Sequence, residues 1–162
     1  MVAVCTALRA LSERPDIEIV YPVHLNPNVR DVVREQLAGL PNVHLVSPLS
    51  YIPFVYLMRR AHVILSDSGG VQEEAPALGK PVLVTRDVTE RPEAVNAGTV
   101  NLVGTDTDRI ITSVNALYDS PSFYDSFALR QNPYGDGRAC ERIVRSIRRI
   151  RRPCVQDRPA QR

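Results

Sequence analysis

Residues 66–74 place a serine, two glycines and a carboxylate at the junction of a predicted strand and a predicted helix. Ser68, Gly69 and Gly70 follow the strand, and glycines at this point let a ligand approach the backbone closely. The first-turn amides of the helix and its dipole attract an anion such as a phosphate group. Glu74 follows Gly70 by one helical turn, where its carboxylate suits the paired hydroxyls of a ribose. A tight turn without a ligand, with the glutamate only favouring the helix start, is the alternative.

Other motifs of nucleotide-binding and metal-binding proteins are absent from the sequence. Gly79-Lys80 is followed by Pro81 and has no glycine five residues earlier, so it is not a Walker A loop, and no GxGxxG occurs. The three cysteines, at positions 5, 140 and 154, include no CxxC pair. Their number and spacing indicate free thiols of a reducing cytoplasm rather than a zinc site or a disulfide framework. We therefore expect neither a metal nor a cofactor.

Three further polar features follow predicted strands or precede the last helix. Arg91 is placed to clamp a pyrophosphate or a carboxylate, although a surface ion pair with Glu90 or Glu93 is the simpler interpretation. Residues 132–138 form a turn-rich loop that leads into the last predicted helix. His24 ends a predicted strand, and it either faces the same crevice or is an ordinary surface residue.

Short β-branched runs alternate with amphipathic segments along the whole chain. Nearly continuous apolar strands are typical of a parallel sheet that helices cover on both faces. The pattern predicts an α/β fold, a doubly wound parallel sheet of the Rossmann-like type that binds ligands at the carboxyl ends of its strands. Either Asp106 or Thr107 caps the sixth helix. The predicted strands are 17–21, 43–46, 62–66, 81–85 and 99–103, and the predicted helices are 2–13, 28–38, 50–60, 70–78, 89–97, 107–118 and 137–150.

The chain opens on a helical pattern that no strand precedes. Doubly wound domains normally begin with a strand, and in the 3-2-1-4-5-6 order that first strand is central. We therefore expect the sheet to lack its first strand, unless the strand order differs. Residues 17–21 then either pair directly with residues 62–66 or leave a gap beside them. Both outcomes expose strand edges, which favours oligomerisation or poor solubility.

Composition and charge limit the classes of protein further. A chain of 162 residues with 44% hydrophobic and 23% charged residues indicates one globular domain, which we place at residues 1–150. It shows no signal peptide and no membrane span, which favours the cytoplasm.

Residues 138–162 carry nine arginines against two acidic residues. No aromatic residue separates them, so we expect a solvated helix with one packed face and a disordered tail at 151–162, rather than a nucleic-acid or membrane surface.

Four segments together resemble the non-hydrolysing UDP-N-acetylglucosamine 2-epimerases. They are YPVHLNPNVR at 21–30, SYIPFVYLM at 50–58, residues 66–106 and NPYGDGRA at 132–139. The string SGGVQEEAPALGKPVLVTRDVTERPEA within the third segment is the most specific. Members of this family have two Rossmann-like domains of the glycosyltransferase-B type, with a UDP-sugar in the cleft between them. The resemblance implies that this chain is the C-terminal, UDP-binding half.

The resemblance also implies a role for individual residues. Residues 68–70 would hold the pyrophosphate, and Glu74 would hold the ribose hydroxyls. Phe54 would lie beside the uracil, whose edge the backbone near Leu49 would contact. Arg91 would reach the phosphates or the sugar.

The family interconverts UDP-N-acetylglucosamine and UDP-N-acetylmannosamine by eliminating UDP and adding it back, in the biosynthesis of cell-surface polysaccharides. Its catalytic acids and bases belong largely to the N-terminal domain, and its nucleotide-contacting histidine lies in a His-Arg-Arg-Glu-Asn motif that this sequence lacks. We therefore expect a UDP-sugar-binding chain without catalytic residues, which is inactive alone and whose full-length relatives are homodimers.

Two alternatives are a glycosyltransferase-like domain and a non-catalytic UDP-sugar-binding module. The TERPEA and NPYGDG segments disfavour the glycosyltransferase-like domain.

Overall fold

The fold alternates helices with short parallel strands, as the sequence predicts. A computed structural model describes residues 1–128 and 130–150. Strand β1 pairs with β2, and strand β4 pairs with both β3 and β5, always in parallel. The strands are β1 Ile19–Pro22, β2 Val43–Val46, β3 Ile64–Ser66, β4 Val82–Val84 and β5 Val100–Leu102. The helices are α1 Val2–Leu11, α2 Pro27–Leu37, α3 Tyr51–Arg60, α4 Gly69–Glu74 with a 3₁₀ turn at Ala75–Leu78, α5 Pro92–Ala97, α6 Thr107–Asp119, α7 Pro121–Ala128 and α8 Ala139–Ile150.

Strand β4 separates two helical layers. Leu83 faces a buried cluster that contains residues of α1 and α6. Val82 and Val84 point the other way, into a cluster with Met58 of α3 and Ala94 of α5. All three strand residues are buried, because side chains alternate between the two faces of a sheet and helices cover both. The predicted double winding is therefore confirmed around β4.

The pair β1–β2 is covered on one face only. Val33 and Leu37 of α2 pack against this pair in a third cluster, together with residues of α1. On the other face Val20 is 41% exposed, and His44 contacts the carboxylate of Glu18 at 2.7 Å. The prediction of two covered faces is wrong for β1 and β2, because this face is exposed and partly polar.

Strands β1 and β3 are not paired, so residues 1–128 and 130–150 form two separate sheets. Of the two expected outcomes, the structure therefore shows a gap between residues 17–21 and 62–66 rather than a direct pairing of these segments. Ile19 of β1 and Leu65 of β3 nevertheless pack against the same two clusters. Two open strand edges thus border one core, and their effect on association stays a prediction.

The region after α6 departs most from the predicted pattern. Helix α7 was not predicted; Tyr124 and Phe127 attach it to the cluster beneath α6. Helix α8 forms as predicted, but no residue of it is buried. Its apolar face, which we expected to pack, leaves Ile143 57% and Ile147 49% exposed because no described element covers it. The tail predicted at 151–162 lies outside the described residues, among which no helix has the length and apolarity to cross a membrane.

Helix α6 starts at a side-chain cap. The Asp106 carboxylate accepts a hydrogen bond from the Arg109 amide at 2.8 Å, so Asp106 is the capping residue. The hydroxyl of Thr107 instead donates to the carbonyl of Ala3 in α1 at 3.0 Å. These two contacts fix the start of α6 and bind it to α1.

We predict that Asp106→Ala lowers the free energy of unfolding by about 1 kcal/mol, because the Arg109 amide loses its acceptor. Asp106→Asn should retain most of the stability. Asp108→Ala is the matched control, since it removes an exposed carboxylate from the same helical turn without removing the cap. Urea unfolding of the three variants checks the order, and an equal loss for Asp106→Ala and Asp108→Ala would contradict the capping role.

Candidate functional site

The start of α4 brings Ser68 and the two glycines together at the carboxyl end of β3. The Ser68 amide donates to the Ser66 hydroxyl at 3.1 Å, which shapes the turn. Ser68 is the N-cap residue, yet its own hydroxyl makes no capping hydrogen bond. Neither glycine has a positive φ, so backbone conformation does not require them. A Cβ at Gly69 would lie 3.0 Å from Glu90 Oε1, the end of an exposed side chain that could give way by a small shift.

A carboxylate already lies against this helix start. Glu90 comes from the loop after β4, and its Oε2 accepts from Arg86 at 2.9 Å. A hydrogen bond to its own backbone amide and the nearby arginine lower the pKa of Glu90. The group beside Gly69 is therefore anionic, as a positive helix terminus favours.

Glu74 is held by a residue that the sequence did not single out. The Tyr51 hydroxyl donates to Glu74 Oε2 at 3.1 Å, and this hydrogen bond to a carboxylate raises the pKa of Tyr51. Both side chains are exposed, so the carboxylate is open to a ligand. Tyr51 begins α3, and only its place in the SYIPFVYLM segment connects it with the site in sequence.

Phe54 joins α3 to α4. It is half-buried and packs against a cluster that includes Val71 and Ala75, as its helical spacing indicates for a core residue. Leu49 is 37% exposed and immediately precedes Ser50, the N-cap residue of α3. Phe54 is thereby placed beside α4, whereas Leu49 is placed only at the entrance to α3.

Arg91 pairs with neither of the carboxylates named from the sequence. Its Nε donates to Glu73 of α4, and Nη1 reaches the main-chain oxygen of Glu90 at 3.3 Å. The hydrogen bond to Glu73 raises the pKa of Arg91. The guanidinium is therefore fixed beside α4 rather than along the surface of its own loop.

A partly buried hydrogen-bond chain connects the loop of Arg91 to the start of α4. The Thr89 hydroxyl accepts from the Arg91 amide at 3.0 Å and donates to Gln72 Oε1 at 2.6 Å. Gln72 is fully buried, and its Nε2 donates to the Ser68 carbonyl at 3.4 Å. The chain thus joins the segments that follow β3 and β4. Sequence reasoning missed Gln72 and Thr89. The available signal was that Gln72 lies next to Val71 and near Ala75, two apolar residues on one face of the predicted helix.

Two candidate segments remain, the loop 132–138 and the turn of His24, and only the loop 132–138 approaches the start of α4. Tyr134 packs against the same cluster as Phe54, and burial raises the pKa of its hydroxyl, which has no hydrogen-bond partner. His24 accepts a hydrogen bond from the Asn26 amide at 3.1 Å, so it belongs to the turn that leads into α2. Among the described residues no group of three or more His, Cys, Asp or Glu is placed to hold a metal ion.

Three features of this region suit a nucleotide. The helix start has no side-chain cap, and its Ser68 and Gly70 are exposed. An accessible carboxylate follows one turn later, and an arginine is fixed on a neighbouring loop. They lie at the carboxyl ends of β3 and β4, where open α/β sheets bind ligands. The chemistry available is recognition of an anion together with a diol.

Comparison with known proteins shows to which family this chain is similar. The family model described as UDP-N-acetylglucosamine 2-epimerase matches residues 1–148. A UDP-N-acetylglucosamine 2-epimerase of Escherichia coli is 55% identical over 149 residues, which are 91% of this chain and 40% of that protein. The crystal structure of the Neisseria meningitidis UDP-GlcNAc 2-epimerase bound to UDP-GlcNAc superposes with a TM-score of 0.87 at 51% identity, over 91% of this chain and 40% of that one.

A more distant likeness concerns the fold alone. The glycosyltransferase of kitacinnamycin superposes with a TM-score of 0.65 at 22% identity, over 90% of this chain and 39% of that one. The predicted glycosyltransferase-B-type fold is thereby confirmed. The chain spans about 40% of the length of the relatives that it matches.

We predict that Thr89→Val lowers the free energy of unfolding by about 1–3 kcal/mol, because the buried Gln72 carbonyl and the Arg91 amide both lose a partner. Valine keeps the shape of threonine, so the change isolates the hydroxyl. Thr89→Ser keeps the hydroxyl and should retain most of the stability. Chemical unfolding of both variants measures the difference, and a serine variant as unstable as the valine variant would disprove the hydrogen-bond explanation.

Proposed function

The chain belongs to the UDP-N-acetylglucosamine 2-epimerase family, and we propose that it forms the UDP-binding part of such an isomerase. The observation that supports this most directly is the accessible Glu74 carboxylate one turn after the Ser68 helix start. An anion site followed by a diol acceptor matches the order of pyrophosphate and ribose in UDP.

The pyrophosphate is bound at residues 68–70. The Ser68 hydroxyl is free of a capping role, and the first amides of α4 offer donors that no helical carbonyl uses. Gly70 is exposed, so a phosphate oxygen reaches its backbone without meeting a side chain. Because Glu90 lies against Gly69, the incoming phosphate displaces that carboxylate from the helix start.

The ribose and the base bind along α3 and α4. Glu74 accepts from the 2′- and 3′-hydroxyls, and its present contact with the Tyr51 hydroxyl shows that it accepts from an O–H donor at this position. Phe54 lies beside the uracil, and the backbone near Leu49 contacts the edge of the base. Arg91 reaches the phosphates or the sugar, and Glu73 sets the position from which it does so.

The reaction of the whole isomerase is the interconversion of UDP-N-acetylglucosamine and UDP-N-acetylmannosamine by elimination and re-addition of UDP. The residues named here bind the leaving UDP, so their contribution is to hold the nucleotide while the sugar reacts. Acid–base groups for C2 come from the other domain, and this chain alone is inactive. The enzyme works as a homodimer in the cytoplasm and supplies cell-surface polysaccharide synthesis; the free thiols of Cys5 and Cys140 fit that compartment.

We predict that the chain binds UDP and prefers it to 2′-deoxy-UDP. Glu74→Ala should weaken UDP binding by about tenfold or more, since charge-assisted hydrogen bonds to the ribose are lost, and it should abolish the preference over the deoxy nucleotide. Isothermal titration of both nucleotides measures the two effects.

Glu35→Ala is the control for this titration, because it removes an exposed glutamate from α2, away from the site. Glu74 is itself exposed, so its variant should melt like the parent chain. A Glu74→Ala chain that still prefers UDP would refute the assignment of the ribose to this carboxylate. Absence of UDP binding to the parent chain would refute the proposed function.

We also predict that the chain forms no UDP-N-acetylmannosamine from UDP-N-acetylglucosamine. The groups that act on C2 are expected in the other domain of the family. Proton NMR of the anomeric region follows the mixture over time. Measurable turnover would place catalytic groups within these residues.

A further inference from the structure

The contact between Tyr51 and Glu74 joins two exposed side chains from different helices. The Tyr51 hydroxyl donates to Glu74 Oε2 at 3.1 Å, while the tyrosine is 66% exposed and the glutamate is exposed as well. A hydrogen bond between exposed side chains adds little to the free energy of folding, because water offers both groups equivalent partners. The stability of the fold therefore does not explain this contact.

The helices beneath the two side chains are held together by buried residues. Tyr51 is the first residue of α3, and Phe54, three residues later, lies on the same side of that helix. Phe54 packs against the cluster that contains Ala75, the residue after Glu74. Both side chains thus start from backbone that the core fixes, and only their own rotation remains free.

Glu74 differs from the other glutamates of this region in the kind of partner that it has. Glu73 and Glu90 each pair with an arginine. Among the residues that the structure describes, Glu74 instead has one polar partner, the hydroxyl of Tyr51. The planar fork of an arginine is able to occupy both oxygens of a carboxylate and to neutralise its charge, whereas a phenol occupies a single lone pair. Glu74 therefore keeps its negative charge and its Oε1 atom for another donor.

We propose that Tyr51 is a positioning residue for ribose recognition: its hydroxyl holds Oε2 of Glu74, so that Oε1 is presented to the 2′- and 3′-hydroxyls of the nucleotide. Because one carboxylate oxygen has two lone pairs, Oε1 can accept from both hydroxyls. This role rests on the proposed function, since it concerns the same carboxylate. Tyr51 acts through Glu74 and does not itself bind the ligand. Without the tyrosine hydroxyl, the carboxylate rotates among several side-chain conformations, which binding must then restrict.

The test measures the binding of UDP and of 2′,3′-dideoxy-UDP to the 162-residue chain by isothermal titration. We expect Tyr51→Phe to weaken UDP binding by about threefold to tenfold, because the Glu74 side chain must then be ordered on binding. Binding of the dideoxy nucleotide should not change, since it offers Glu74 no ribose hydroxyl. The preference for UDP should consequently fall by the same factor.

Tyr56→Phe is the matched control for this substitution. Tyr56 lies in the same helix and is 65% exposed, so the change removes the same atom from a comparable place and leaves the hydrogen bond to Glu74 intact. The Tyr56→Phe chain should bind both nucleotides as the parent does. Adding Tyr51→Phe to Glu74→Ala tests the route of action, and it should not weaken UDP binding further, because no carboxylate is left to hold.

The contact itself is testable without a nucleotide. The hydrogen bond to the Glu74 carboxylate raises the pKa of Tyr51, so Glu74→Ala should lower the pKa of Tyr51. Carbon-13 NMR of the tyrosine Cζ atoms follows this ionisation, and the resonance that is missing from Tyr51→Phe identifies Tyr51. An unchanged pKa in the Glu74→Ala chain would show that the two side chains do not meet in solution, and it would overturn the proposal.

Three binding results would also overturn it. The first is a Tyr51→Phe chain that binds UDP as tightly as the parent does. The second is an equal loss for UDP and the dideoxy nucleotide, which would mean that the tyrosine acts on a part of the ligand other than the ribose hydroxyls. The third is a double variant weaker than Glu74→Ala, which would mean that Tyr51 binds the ligand directly. A failure of the proposed function is distinct, because it appears in the parent chain as an absence of UDP binding and overturns both.

Discussion

Hydrogen bonding of β4 on both of its edges is the constraint on which the rest of the described structure depends. Within the described residues it is the one strand with two partners, and it is fully buried. Its alternation sends Leu83 into the layer of α1 and α6, and Val82 and Val84 into the layer of α3 to α5. The loops that follow β3 and β4 emerge side by side for this reason, and both contribute to the candidate site.

The general fold follows from the sequence because its pattern is local and redundant. Each apolar strand is short and each helix shows one apolar face, so the five strands and most helices were predicted within a few residues of their bounds. Asp106 was one of two predicted caps because aspartate at that position has a defined local role. Helix α7 was missed because it is short, and Tyr124 and Phe127 attach it to the cluster beneath α6 only once the chain has folded.

The contacts within the site were less predictable because they join segments that are distant in sequence. Arg91 pairs with Glu73 across two loops, although glutamates lie next to it in the chain. Tyr51 reaches Glu74 from another helix. Residue type and spacing identify which side chains can bind an anion or a diol, but the partners that orient those side chains depend on how α3, α4 and the β4 loop pack together.

The hydrogen bond between the buried Gln72 and the half-buried Thr89 connects the packing of the core with the contacts of the site. Burying an amide is costly unless its polar atoms are paired, so this contact holds only when the loop after β4 lies against α4 in one arrangement. The same arrangement places Glu90 against Gly69 and Arg91 against Glu73. Glu90 and Glu73 are thus each paired with an arginine, Arg86 and Arg91. For the proposed binding of a phosphate at Ser68, Glu90 would have to move away from Gly69, whereas the Gln72–Thr89 hydrogen bond could stay in place.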